Sequence, residues 1–432
     1  MSGRRAGLTA TLTATAALLT TVTAAVMAAV TAPPALAAGA EEATPLPGAG
    51  GTCTFPMKQQ IKERPWALQR IVLDRLWQDT KGRDAQGKPV RIAVIDTGVD
   101  NTNPQLTEAV DAKKGADLLG PGPGPGDGAP APQGRAPGTY DPVGHGTKVA
   151  GIIAARPRAG TGFVGLAPEA TIIPIRQNDE KGTGNAATLA DAITKAVAAG
   201  ADVINISQDT AKPISENSSL AAAVRNAREQ HNIVVVASAG NDGYDGALKE
   251  TYPATYPGVL AVAASDRNNE RAPFSQSGDF VGVSAPGVDM VSTVPKGGQC
   301  VDNGTSFSAP YVAGIAALLR AKHRDWTESQ IVAQIEQTAE RSVNGRDNFV
   351  GWGVADPVRA LTDDDHPIDH PTADDGLAKA TPPDPTTLPS GETPQKRMER
   401  YATYGVGAAG VAVAVIAGVA VVRRDVRRHR RP

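Results

Sequence analysis

The chain has 432 residues, of which 41% are hydrophobic, and a formal net charge of −2 at pH 7. This length allows one large domain plus appendages, and the apolar share is sufficient for a sizeable core. A charge so close to zero argues against a general nucleic-acid-binding protein, so any charge-driven attraction to a membrane must be local.

The N-terminal segment has the features of a secretory signal peptide. Arg4 and Arg5 precede a stretch rich in Ala, Leu, Val and Thr, and a small-x-small cleavage site ends at Ala37. We therefore predict a cleaved signal peptide over 1–37, with an uncleaved anchor as the alternative. The short extension over 38–65 cannot bury a core of its own. We expect it to wrap around the next domain and to stay attached.

The first half of the chain then places an Asp and a His beside Gly-rich turns. The β-branched run Arg91–Ile95 predicts a buried parallel strand that ends at Asp96. His145 stands between two glycines at the start of an apolar stretch that predicts a helix. A Gly/Pro run over 120–137 lies between them and predicts a surface insertion, which acts either as a passive loop or as a docking element.

The second half adds an Asn and a Ser. The run Ile233–Ala237 predicts another buried strand, and Asn241 follows it closely. Ser306 precedes the apolar stretch Ala309–Leu319, which predicts a buried helix. Ser306 should therefore lie at a helix N-terminus, where backbone N–H groups face an incoming anion.

Asp96, His145 and Ser306 are the three residue types of a catalytic triad. A serine hydroxyl is a weak nucleophile, so a base must take its proton. Histidine suits this role because its pKa lies near neutrality, and a buried carboxylate holds the imidazole in the useful tautomer. The amide of Asn241 would donate to the oxyanion beside the backbone N–H of Ser306.

The C-terminal part predicts a linker, a membrane helix and a basic tail. Residues 362–403 are rich in Pro and Asp, which is typical of an extended linker. The 19 uncharged residues Tyr404–Val422 are nearly long enough to cross a hydrocarbon core of ~30 Å. Six arginines in the tail over 423–432 place it in the cytoplasm and the preceding domain outside; a nucleic-acid-binding tail is the weaker alternative.

The segments Val94–Asp100, Gly144–Gly151 and Asn303–Pro310 resemble the subtilisin-type serine peptidase family, in which Asp, His and Ser occur in this order. The resemblance covers roughly residues 66–361. It implies an α/β, doubly wound fold with a mostly parallel sheet and helices on both faces. It also implies endopeptidase activity on protein substrates, with the triad and Asn241 in the roles given above.

One stretch departs from the common pattern of that family. Where many subtilisin-like sequences carry a glycine after this strand, Gln208, Asp209 and Thr210 follow Ser207. We expect these polar side chains to narrow the specificity. The predicted substrate-binding residues are Ser207, Gln208, Ala239 and Gly240.

The same stretch, the anchor and the linker resemble the mycosin branch of the family, whose members are proteases attached to type VII secretion systems of actinobacteria. This resemblance implies a single-pass membrane protease outside the cytoplasm that processes proteins of such a system and contacts its membrane components. Two other functions remain open: a structural component of the secretion complex, and a general cell-surface protease. The complete set of catalytic groups favours real activity.

The chain has two cysteines, Cys53 and Cys300. In an exported protein an even pair predicts a disulfide, with two free buried thiols as the alternative. No zinc, phosphate-loop or dinucleotide motif occurs, and no acidic loop has convincing calcium-ligand spacing. We therefore predict no cofactor and no required metal.

Overall fold

The structure is a computed structural model that describes residues 53–57, 60–119, 134–179, 184–210, 212, 214–246, 248–341, 343–373 and 394–428. The predicted signal peptide over 1–37 and most of the Gly/Pro run over 120–137 lie outside these residues. The chain divides into two compact units, Met1–Thr372 and Ala373–Pro432.

A parallel sheet forms the centre of the first unit. In the described part of the chain its strands are β1 (Arg91–Asp96), β2 (Ala116–Asp117), β3 (Thr171–Arg176), β4 (Val203–Ile206), β5 (Val234–Ser238), β6 (Leu260–Ser265) and β7 (Val281–Pro286). Their order is β2-β3-β1-β4-β5-β6-β7, and every neighbouring pair is parallel. The strands from β4 to β7 are buried throughout, so their sequences are nearly continuous apolar runs without alternation, interrupted by Asn205 in β4 and Ser284 in β7.

Helices cover both faces of this sheet. They are α1 (Trp66–Gln69), α2 (Leu73–Leu76), α3 (His145–Ala154), α4 (Ala186–Ala199), α5 (Ser219–Arg225), α6 (Thr305–Lys322), α7 (Glu328–Gln337) and α8 (Pro357–Thr362). Because successive strand residues face opposite sides, Ile92 of β1 joins a core with α3 and α6, whereas Ile95 joins a second core with α4 and α5. The predicted doubly wound α/β fold is confirmed.

A small antiparallel hairpin, β8 (Met290–Thr293) and β9 (Gln299–Asp302), holds the N-terminal extension. Cys53 forms a disulfide with Cys300, with a Cα–Cα distance of 6.1 Å. The Met57 N–H donates to the Gly297 carbonyl at 3.1 Å, and the Ile61 N–H donates to Gln299 Oε1 at 2.8 Å. The predicted disulfide is confirmed, and the described part of the extension lies along the hairpin.

The disulfide should contribute strongly to stability. Replacing both cysteines by alanine removes a cross-link between residues 247 positions apart, and chain entropy sets a ceiling of about 5 kcal/mol on the resulting loss in the free energy of unfolding. Denaturant unfolding of the full chain measures this loss. A reductant should shift the unfolding midpoint of the wild type towards that of the double variant and leave the variant unchanged. Equal midpoints for oxidised wild type and variant would contradict the prediction.

The first unit extends further than the sequence predicts. Asp364 is only 5% exposed, because it accepts from Lys322 Nζ at 3.0 Å and pairs with His323 Nε2 at 2.6 Å. The Thr372 N–H also donates to Gln337 Oε1 at 2.6 Å. Residues 362–372, predicted to be the start of the linker, therefore pack against α6 and α7.

The described part of the second unit consists of helix α9 (Pro394–Arg428). Within the described residues, the stretch Gln395–Arg428 is the one helix long and apolar enough to cross a membrane. It includes the predicted membrane span Tyr404–Val422, and its side chains from Gln395 onward are exposed.

Candidate active site

The carboxyl end of β1 and the start of α3 bring an acid and an imidazole together. Asp96 is the last residue of β1 and is fully buried, and His145 is the first residue of α3. Asp96 Oδ1 lies 2.7 Å from His145 Nδ1 and also accepts from the Thr97 N–H at 2.8 Å. Because Oδ1 requires a donor at Nδ1, the other ring nitrogen, Nε2, carries no proton in the neutral imidazole and can accept one.

The surroundings of His145 favour its protonated form. Burial lowers the pKa of His145, but the charge and the hydrogen bond of Asp96, together with the charge of Asp141, outweigh this effect, so the pKa is raised overall. Lys148, one turn further along α3, opposes the increase in pKa. An imidazole held in this way is prepared to keep a proton during a reaction.

A buried carboxylate, Asp141, clamps the start of α3 to the end of β1. Its Oδ1 accepts from the Gly144 N–H at 2.7 Å and from Thr97 Oγ1 at 2.8 Å. Its Oδ2 accepts from the N–H and the hydroxyl of Thr147, at 2.8 and 2.6 Å. We did not predict this residue from the sequence. The sequence feature that could have identified it is an acidic side chain four residues before the predicted helix. At that position it can accept from the free N–H groups of the first helical turn.

Ser306 lies at the start of α6, as predicted. It is the second residue of the helix and is 8% exposed. Its hydroxyl donates to the Ser207 carbonyl at 3.2 Å, and among the described residues no hydrogen bond joins it to His145. The next residue, Phe307, has its ring centroid 5.4 Å from that of His145. The residue after the nucleophile candidate therefore packs near the imidazole, and the Ser306 hydroxyl is turned towards the end of β4.

Asn241 lies beyond β5 and next to the start of α6. Its Oδ1 accepts from the N–H of Thr305 at 2.9 Å and from the Thr305 hydroxyl at 3.0 Å. A backbone N–H can only donate, so this contact fixes the orientation of the amide. The Nδ2 group of Asn241 then remains available to a ligand beside Ser306, and the residue is exposed.

The four predicted substrate-binding residues have different surroundings. Gln208 lines a cavity of about 510 Å³. Ser207 Oγ donates to the Ser306 carbonyl at 2.9 Å and so supports the nucleophile turn. The N–H groups of Ala239 and Gly240 are already used, by the Val262 carbonyl and by Thr305 Oγ1 respectively. These two residues can form a wall but offer no free backbone donor.

The N-terminal extension reaches the same site. A Cβ at Gly144 would overlap the ring of Phe55, so this position requires glycine for space as well as for its φ of 81°. Gly144 directly precedes His145, and Phe55 is two residues from the disulfide-bonded Cys53. Nothing in the local sequence predicts this contact, because the two segments are far apart in the chain.

This arrangement contains an imidazole oriented by a carboxylate, a hydroxyl at a helix N-terminus and a free amide donor. These three groups are the ones that acyl transfer through a covalent intermediate requires. Among the described residues, no group of three or more His, Cys, Asp or Glu side chains is placed to hold a metal ion. The expectation that no metal is required remains a prediction.

Comparison with known proteins gives consistent results. A family model described as the subtilase family matches residues 87–353. The chain is 38% identical over 297 residues to a thermophilic serine proteinase of Bacillus sp. strain AK1, covering 68% of this chain and 66% of that protein. It is 34% identical over 361 residues to mycosin-1 of Mycolicibacterium smegmatis, covering 72% of this chain and 75% of that protein.

Comparison with solved structures agrees with the sequence comparison. MycP1 from Mycobacterium smegmatis aligns with a TM-score of 0.61 and 30% identity, over 76% of this chain and 91% of that one. The MycP3 protease from the type VII (ESX-3) secretion system aligns with a TM-score of 0.59 and 33% identity, over 73% of this chain and 91% of that one.

Proposed function

Because the chain belongs to the subtilase family of serine endopeptidases, we propose that it hydrolyses peptide bonds with Ser306 as the nucleophile. His145 acts as general base and then as general acid, and Asp96 orients it. The observation that carries this proposal is the 2.7 Å contact between Asp96 and His145, beside the helix that begins at Thr305.

The reaction starts with a change in the Ser306 side chain. Its hydroxyl must leave the Ser207 carbonyl and turn to His145 Nε2, which requires rotation about the Cα–Cβ bond of Ser306. Oγ then attacks the substrate carbonyl carbon while Nε2 takes its proton. His145 returns the proton to the leaving amine as the C–N bond breaks, and water releases the acyl group by the reverse sequence.

The negative oxygen that forms in this step lies near the start of α6. Two donors face it: the backbone N–H of Ser306 and Asn241 Nδ2, whose amide is held by Thr305. Such donors stabilise the negative charge that develops on the carbonyl oxygen in the transition state, and they stabilise the smaller charge of the ground state less.

The Asn241→Ala variant should therefore lose about 10²–10³ in kcat with little change in KM, the effect seen when the corresponding donor is removed from subtilisin. Steady-state kinetics on a peptide amide measure this loss. Thr305→Val keeps the backbone N–H that holds Asn241 but loses the hydroxyl, and its loss in kcat should be smaller. A kcat within twofold of wild type for Asn241→Ala would exclude Asn241 from this role.

We also propose that helix α9 anchors the protein in a membrane with the peptidase domain outside the cytoplasm. The length and apolar character of the helix, the signal-like N-terminus and the arginines after Val422 support this topology. A single cysteine introduced at an exposed position of a cysteine-free chain, such as Asn268, should react with an impermeant thiol reagent on intact cells. Labelling only after lysis would reverse the proposed orientation.

The likeness to mycosin-1 and MycP3 supports a role in processing proteins of a type VII secretion system. Digestion of candidate co-exported proteins with the full chain, beside the Ser306→Ala variant, would test this role and map the cleavage sites. A structural role is the second candidate, because one similar structure is described as an essential component of the type VII (ESX-1) system. Restored secretion in a deletion strain carrying Ser306→Ala would favour it.

A further inference from the structure

A buried lysine lies one turn after His145 on helix α3. Lys148 is 7% exposed, although a lysine is rarely buried to this extent unless it is paired. Residues three positions apart on a helix are neighbours on its surface, so the side chain of Lys148 starts on the same side of α3 as the imidazole. The proposed reaction itself uses no cation at this position.

The hairpin of β8 and β9 fixes Lys148 at both ends. Its Nζ donates to Oδ2 of Asp302, the last residue of β9, at 2.6 Å. Its backbone carbonyl accepts from Ser292 Oγ at 2.5 Å, and the preceding carbonyl, that of Thr147, accepts from Thr293 Oγ1 at 2.9 Å. The ammonium therefore has a defined position, unlike that of a surface lysine on its flexible four-carbon stem.

The ring of Phe307 lies beside both the ammonium and the imidazole. Its centroid is 5.6 Å from Lys148 Nζ and 5.4 Å from the centroid of the His145 ring. Both distances lie in the range in which an aromatic ring interacts favourably with a cation or with a second ring. Phe307 is 3% exposed. It therefore fills this space with carbon and leaves little water to screen the charge of Lys148.

Stability gives no reason for a cation at this place. The side chain of Asp302 is 38% exposed, so one partner of the ion pair stays in contact with water, and such pairs contribute little to the free energy of unfolding. An apolar side chain of similar length would bury the same surface without desolvating a charge. The charge of Lys148 is therefore better explained by its effect on a neighbouring group.

His145 is the group on which this charge acts. Burial lowers the pKa of His145, whereas Asp96, at the end of β1, and Asp141, before α3, raise it. Lys148 acts in the same direction as burial. The base of the proposed reaction must be neutral before it can take the proton of Ser306. Without an opposing cation, the two carboxylates would keep His145 protonated, and so inactive as a base, up to a higher pH.

We propose that Lys148 is a positioning residue of the proposed reaction, and that its fixed charge extends peptide cleavage to lower pH by keeping His145 available as a base. This inference rests on the proposed function, because His145 acts as the base only where Ser306 is the nucleophile. It adds to that function a residue that contacts neither the substrate nor the reacting atoms.

The test uses the full chain in detergent and one peptide amide, with kcat/KM measured across the acid limb of the pH profile. Lys148→Met keeps an apolar side chain of similar length but removes the charge. The midpoint of the acid limb should rise by roughly 0.5 pH unit, about threefold in kcat/KM on the limb, the order expected for one partly screened charge. Lys148→Arg keeps the charge and should keep the wild-type midpoint. A purely structural role would lower kcat/KM equally at every pH and leave the midpoint in place.

The matched control is Lys322→Met, which removes an ion-paired ammonium from the last residue of α6, at the opposite end of that helix from Ser306. Its acid limb should have the wild-type midpoint. An unmoved or lowered midpoint in Lys148→Met would overturn the proposal, and so would a midpoint in Lys148→Arg that coincides with that of Lys148→Met.

A direct titration separates this inference from the proposed function. In the Ser306→Ala variant with isotope-labelled histidine, NMR reports the protonation of His145 without any catalysis, and the signal is identified by its loss in Ser306→Ala/His145→Ala. A higher titration midpoint in Ser306→Ala/Lys148→Met than in Ser306→Ala would support the proposal even if the wild type cleaved no peptide. Equal midpoints would refute it, whatever the activity.

Discussion

The Ser306→Ala variant should lose about 10⁶-fold in kcat, the loss found when the serine nucleophile of subtilisin is removed, while its fold stays intact. Alanine lacks the Oγ that forms the bond to the substrate, so no covalent intermediate can form. Ser306 is 8% exposed and its hydroxyl makes one hydrogen bond, to the Ser207 carbonyl. Losing that single neutral hydrogen bond should cost only about 1 kcal/mol in the free energy of unfolding.

Peptide hydrolysis, labelling by a fluorophosphonate probe and thermal unfolding together measure this result. Ser308→Ala is the matched control on the same helix: Ser308 is fully buried and its hydroxyl has no hydrogen-bond partner among the described residues. It should retain both kcat and labelling. Hydrolysis by Ser306→Ala at a rate near that of wild type would exclude Ser306 as the nucleophile.

The Asp96→Asn variant should lose about 10⁴-fold in kcat, as the equivalent change does in the triad of a serine protease with an unrelated fold. The asparagine amide can donate to His145 Nδ1 and so favour the tautomer that carries its proton on Nε2. That nitrogen then cannot take the proton from Ser306. The new side chain also carries no charge to stabilise the imidazolium.

The pH profile distinguishes this role from damage to the fold. The base must be neutral, so kcat/KM falls as the pH drops through the pKa of His145. Asp96 raises that pKa, so its replacement should move the acid limb to lower pH. The control is Asp302→Asn, which removes a carboxylate 2.6 Å from Lys148 Nζ without contacting His145. Its kcat should stay within a few-fold of wild type. An unshifted acid limb in Asp96→Asn would contradict the electrostatic role of Asp96.

Local sequence patterns predict much of the fold, and they also predict that the candidate residues lie close together. Arg91–Ile95 is apolar and β-branched up to Asp96, and the strand ends at that residue in the structure. The Gly-His-Gly turn begins α3, and the apolar run after Ser306 belongs to α6. Parallel strands align their carboxyl ends, so β1, β4 and β5 deliver their terminal residues to one edge of the sheet.

Contacts between distant segments were not predictable in this way. The Asp-rich segment after Thr362 has the composition of a linker, but Asp364 is paired with Lys322 and His323, about 40 residues earlier. The composition of a short segment cannot reveal ion pairs with residues elsewhere in the chain that compensate its charge. The hydroxyl orientation of Ser306 was equally hidden, because it depends on the carbonyl of a residue 99 positions away.

The disulfide between Cys53 and Cys300 also determines the order of steps in synthesis and folding, because it can form only after Cys300 has been synthesised. Cys300 is added 247 residues after Cys53, a delay of roughly 10–50 s at ribosomal rates of ~5–20 residues per second. Throughout this interval the hairpin residues Gly297 and Gly298 have not yet been synthesised, so Phe55 and Met57 have no hairpin to lie along. The Phe55 ring therefore comes to cover the turn before His145 only late in folding. Because the chain contains only two cysteines, no incorrect pairing exists within one molecule. Formation of this bond therefore needs an oxidant but no rearrangement of incorrect pairings within the molecule.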